Sequence, residues 1–197
     1  MGRPQEHLPK PRPAQAVFKL PSSDYRHWIE FLKDEFSEFE KTSTREKILK
    51  GELVHFALSR IGNIPDGKED VALKQAMAAV EEQFPGRMSM DFPDLEKILQ
   101  EMLNRKELRS FFVVGDAEVF QEKDLVTANG LTRRIDRLIV KQKEVWVVDY
   151  KSQREAAGIQ QQQVREYTAI LRELYPDKIV KGFLIYLDDG TLEEVVC

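Results

Sequence analysis

The 197-residue sequence predicts an α/β protein of the α+β kind, in which a mixed central sheet is flanked by helices and preceded by a helical part. Three observations predict it. The hydrophobic period is helical up to about Arg109 and strand-like after it. Candidate strands near 111–122, 131–140 and 144–151 are joined by the tight-turn pair Asn129-Gly130 and by the short polar link KQKE, which makes them antiparallel neighbours. A helical pattern over 159–175 then leads into another strand, and a strand–helix–strand crossover adds a parallel pairing.

Taken in order, the first 21 residues hold five prolines, which exclude regular helix and read as an extended arm or linker. One domain is expected over 22–197, with a helical part over about 22–108 and a sheet-containing part over about 109–197. From Ser22 a capped helical pattern begins. Ser43 to Glu46 forms an S-x-x-E capping box that opens a helix to about Arg60, and GNIPDG breaks the chain after it. Helices are expected near 68–83 and 92–107, separated by FPGRMSMDFP. After the three strands, Pro176-Asp177 ends the helix over 159–175, and KIVKGFLIYL and TLEEVV form a last strand pair around DDG.

Composition narrows the function classes. A hydrophobic fraction of 42% with 32% charged residues suits a soluble globular protein. No apolar run reaches membrane-spanning length and no signal-peptide core opens the chain, which implies a cytoplasmic protein without a membrane partner. The single cysteine, Cys197, excludes an internal disulfide, a cysteine-rich zinc site and a four-cysteine iron–sulfur cluster. A net charge of −4 argues against a generally basic nucleic-acid-coating protein but permits a local basic groove.

The stretch VWVVDYKSQ, 145–153, ends an apolar strand with Asp149 and Lys151, two apart and therefore on one face. These charges either leave the core for water and each other, or belong to a site. Asp136, on the preceding strand, is open to a similar choice: a solvent-facing partner of Arg134 or Arg137, or a carboxylate converging on Asp149. Two converging carboxylates repel unless a divalent cation lies between them, and oxygen ligands at that density suit Mg²⁺ or Mn²⁺. Lys151 would then hold an attacking water or neutralise charge on a phosphate.

The ordered set G-x-x-x-x-I-D-R-L, V-V-D-Y-K-S and Q-x-x-x-Y resembles the RecB-type branch of the PD-(D/E)xK nuclease superfamily, in particular the C-terminal nuclease domain of AddA-like or RecB-like helicase-nucleases. The resemblance covers roughly residues 44–196 and implies a restriction-endonuclease-like core and a Mg²⁺- or Mn²⁺-dependent DNA nuclease. It extends to GELVHFAL, which places His55 at the metal beside Asp136, Asp149 and the carbonyl of Tyr150. A lone helical histidine is otherwise more often structural. The resemblance also implies that Gln163 and Tyr167 face the site to orient Lys151 or the DNA backbone, against a core-edge role for Gln163. It puts Glu118 at an earlier acidic position, for which Asp116 and Glu122 compete. Gly51, one turn before His55, costs helix stability and would let that helix approach the sheet or substrate closely.

Arg133, Arg134, Arg137, Lys141 and Lys143 are candidates for phosphate contacts, or equally for a solvated strand and hairpin face. Relatives with four cluster-binding cysteines differ from this chain, which implies the branch without an iron–sulfur cluster. No Walker-type loop is present, so the ATP-dependent helicase implied as partner would lie on another stretch or chain, with the proline-rich start as a tether. The rival expectations are an inactive DNA-binding module of the same fold and a stand-alone restriction or repair endonuclease.

Overall fold

The computed structural model describes residues 45–85, 94–126, 132–154 and 157–196. The proline-rich arm, the helix expected from Ser22, the cap at Ser43 and the Asn129-Gly130 turn lie outside the described residues. The compact unit considered below is Ser43–Cys197.

Among the described residues, four helices precede the sheet: α1 (Arg45–Ser59), α2 (Glu69–Gln83), α3 (Leu95–Asn104) and α4 (Lys106–Phe112). The single helix expected over 92–107 is two helices. Arg105 adopts extended backbone between them, with φ −69° and ψ 122°. The first strand also starts later than its apolar run implies. Leu108, Phe111 and Phe112 are buried along one face of α4 at helical spacing, and Gly115, at φ +62°, turns the chain before the strand begins. The run FFVV reads as strand by composition, but three- and four-residue spacing to Leu108 decides for helix.

The strands are β1 (Glu118–Val126), β2 (Thr132–Val140), β3 (Glu144–Lys151), β4 (Ile179–Tyr186) and β5 (Leu192–Val195), with α5 (Ala157–Leu174) between β3 and β4. They lie in the order β1-β2-β3-β4-β5. Only β3 and β4 pair in parallel, and α5 is the crossover that joins them. The mixed sheet read from the sequence is the sheet observed.

Each face of the sheet carries its own core. On one, α1 to α4 pack Leu53, Leu58, Leu99 and Phe112 against Ile139, Val148, Tyr150 and Phe183. On the other, Val164, Tyr167 and Leu171 of α5 cover Leu138, Val145, Val147 and Leu184. Alternation along β3 sends Val145 and Val147 to α5 and Val148 and Tyr150 to the helical layer, which makes the strand apolar on both faces. Gly182 on β4 sits under α5. A methyl there would run into Val164 and lie 3.0 Å from Thr168 Cγ2, so the missing side chain sets how close α5 rides. No helix among the described residues is long and apolar enough to cross a membrane.

Candidate active site

The last paired residues of β2 and β3 are Arg137 and Val148, and one further step of the same register sets Asp136 opposite Asp149. Opposed residues of an antiparallel pair share a face. Asp149 follows Val145 and Val147 toward α5 and is 2% exposed. Lys151 Nζ lies 3.1 Å from Asp149 Oδ2, which compensates a carboxylate that would be costly to bury alone.

The ammonium is held from a second side. Lys151 donates to Gln163 Oε1 at 2.9 Å, Gln163 Nε2 donates to the Tyr167 hydroxyl at 2.6 Å, and Tyr167 donates to the Arg134 carbonyl at 2.9 Å. This relay fixes the amide orientation, because Gln163 must present oxygen to the lysine and nitrogen to the phenol. Burial, reinforced by the negative charge of Asp149, pushes the Tyr167 phenol well above its ordinary range. It therefore stays neutral and anchors the relay to the backbone of β2. Gln163 and Tyr167 thus share one helix face, as their four-residue spacing predicts, and Gln163 meets the lysine.

Asp136 occupies an irregular rung. Arg137 points into the helical layer and Leu138 toward α5, yet Ile135 also packs toward α5, so the side-chain alternation changes phase at Asp136. On β1 the same register sets Glu122 opposite it, and Glu122 has φ +46°. A non-glycine residue in that region is strained, by about 1–3 kcal/mol. The phase change lets Asp136 reach past its strand. Its Oδ2 accepts the Tyr150 N–H at 2.8 Å and lies 3.7 Å from His55 Nδ1 on α1. The Tyr150 ring meets His55 edge-on, with centroids 6.0 Å apart, and burial pushes its phenol up to about 12.

Gly51 explains how α1 comes so near. A β-carbon at this position would fall 2.7 Å from Ser152 Oγ, immediately after Lys151. The glycine thus lets α1 close on the end of β3, and so brings the His55 helix to the two aspartates.

Other expectations are corrected by the register. Glu118 pairs with Val140, toward the hairpin end of β2, and does not join the carboxylates; Glu122 is the acidic residue of β1 on the Asp136 rung. Arg137 is completely buried and bonded to backbone carbonyls, so it does not contact a phosphate. Lys141 and Lys143 flank the start of β3, at the far end of the strand from Asp149, and Lys141 lies over the Trp146 ring. Arg133 and Arg134 stay near the site, the first 3.6 Å from Glu166 and the second bonded to Asp124 at 3.0 Å. Glu122, a competitor for the acidic position in the sequence, is set beside Asp136 by the register, and Ser152 is set against Gly51 of α1.

The donor chemistry, two carboxylates and an imidazole, fits a hard divalent cation. Among the described residues, no three His, Cys, Asp or Glu side chains stand together as a ready ligand group. Asp136 turns toward His55 and Asp149 toward Lys151, so a cation would exchange with these partners. A family model described as the PD-(D/E)XK nuclease superfamily matches residues 20–195. The chain belongs to this superfamily of metal-dependent nucleases. No curated protein matches the sequence.

Proposed function

We propose that this chain is a Mg²⁺- or Mn²⁺-dependent deoxyribonuclease of the RecB-type branch, serving as the exonuclease module of an AddA-like or RecB-like helicase-nuclease in double-strand-break repair and recombination. The observation that carries the reading is Lys151, held between Asp149 and Gln163 beside a second aspartate that meets a helical histidine. The order of the motifs along the chain supports the RecB-type branch.

In this reading His55, Asp136, Asp149 and the carbonyl of Tyr150 hold the cation, which when bound supplies Lewis-acid stabilisation of phosphate charge. Lys151 hydrogen-bonds the attacking water and sets it in line with the scissile phosphorus. Gln163 and Tyr167 keep the ammonium aimed. Asp136, anchored on the Tyr150 amide, keeps one oxygen fixed while substrate enters. Arg133 and Arg134, close to the relay, are the remaining candidates for phosphate contacts, each exchanging a carboxylate partner for DNA. No covalent intermediate is required.

The test is end-labelled single- and double-stranded linear DNA and a closed circle, each incubated with Mg²⁺, Mn²⁺ or Ca²⁺. Linear DNA is expected to be degraded from its ends with Mg²⁺ or Mn²⁺ and not with Ca²⁺, whose larger, looser coordination binds without positioning the reaction. Cleavage of the circle would replace the exonuclease reading with an endonuclease. DNA binding without cleavage in any metal would identify an inactive binding module.

A further inference from the structure

Arg137 is the largest fully buried side chain of the described residues, and three backbone carbonyl oxygens hold its guanidinium. Its Nε donates to the Phe111 carbonyl at 2.9 Å, Nη1 to Ile61 at 2.6 Å and Nη2 to Gly62 at 2.8 Å, while the guanidinium lies over the Phe112 ring. Phe111 lies in the last turn of α4, and Ile61 and Gly62 stand two and three residues past Ser59, the last residue of α1. The last carbonyls of a helix lack intrahelical partners and carry partial negative charge, so one buried cation caps α4 and ties it to the segment that leaves α1. Desolvating a guanidinium is expensive, and a core that only needed filling would use an apolar residue there.

What distinguishes the position is its sequence neighbour. Arg137 follows Asp136 on β2, and the segment that it grips is the one leaving α1, the helix that carries His55. We infer that Arg137 is a positioning residue: its three-way fork fixes the segment leaving α1 to β2 and thereby sets the separation of His55 and Asp136. Gln121 of β1 donates to the same Ile61 carbonyl at 2.9 Å, so the clamp has an outer member that is less costly to remove. The inference rests on the reading of His55 and Asp136 as metal-holding residues.

The experiment measures Mn²⁺ binding by titration calorimetry on the full chain, at a temperature where circular dichroism shows every variant folded. Arg137→Lys keeps a charge but loses the fork, and its Mn²⁺ affinity is expected to fall roughly tenfold or more, as when a partner that orients a metal ligand is lost. Gln121→Met, which keeps Arg137, is expected to cost about threefold, by the same loss of ligand orientation in weaker form. Val180→Ala, destabilising on the opposite face at the far end of β3 from Asp149, should stay within about twofold of wild type, as a site without shared partners should. Should Arg137→Lys fail to fold, Gln121→Met against Val180→Ala decides the question. Affinities within twofold of wild type for both clamp variants, or an equal loss in Val180→Ala, would overturn the positioning role. Wild-type protein that binds no Mn²⁺ would remove the metal site itself and this role with it, whereas a wild type that binds Mn²⁺ beside unaffected clamp variants would refute the role alone.

Discussion

At Gly51 one missing methyl group determines how closely α1 approaches the end of β3. Helix propensity alone favours alanine there by about 1 kcal/mol. The added carbon would instead fall 2.7 Å from Ser152 Oγ, which must turn away or push α1 from the aspartates. Gly51→Ala is therefore expected to give no gain in melting temperature and to lower metal-dependent cleavage several-fold, and adding Ser152→Ala should restore it, because the hydroxyl is the obstacle. A Gly51→Ala protein that is more stable and fully active would show that the close approach is unimportant. The sequence flags this glycine by its cost but not by its neighbour, since Ser152 is brought to it by the register of distant segments. That Asp149 and Lys151 share a strand face, and Gln163 and Tyr167 a helix face, was legible because strand alternation and four-residue helical spacing are local rules. The surroundings of Glu122 and Arg137 were not: one depends on a change of phase shared by two strands, the other on helices packing over a strand.

Among the elements, α5 is both the crossover that makes β3 and β4 parallel and the carrier of Gln163 and Tyr167. Its height above the sheet is therefore also the distance from Gln163 to Lys151. Gly182→Ala places a carbon against Val164 and Thr168, both completely buried. The variant should lose about 1–3 kcal/mol of stability, the usual cost of overpacking, and lose activity at temperatures where it is still folded. Denaturant titration paired with a nuclease assay checks both, and unchanged stability would mean that α5 rides more loosely than the geometry implies. Most elements follow from period and turn chemistry. The two that shifted, the divided third helix and the late first strand, shifted where apolar runs such as FFVV fit either period and burial against neighbouring helices decides.

For the molecule as a whole, two separate cores leave the sheet apolar on both faces, and charged side chains gather where β3 ends beside the first half of β2. Asp149 enters this place already buried, so it is part of the packing as well as of the site, and a large-to-small substitution would confound the two. Asp149→Asn keeps the volume and leaves Lys151 its bond to Gln163, removing mainly the negative charge. The most direct measurement compares wild type with Asp149→Asn for Mg²⁺-dependent cleavage of labelled linear DNA, with thermal melts on the same samples. The account predicts a folded variant whose cleavage falls by about a thousandfold, the scale of losing a group that acts on the charge developing in the transition state. A variant that melts as a folded protein and cleaves at the wild-type rate would contradict it.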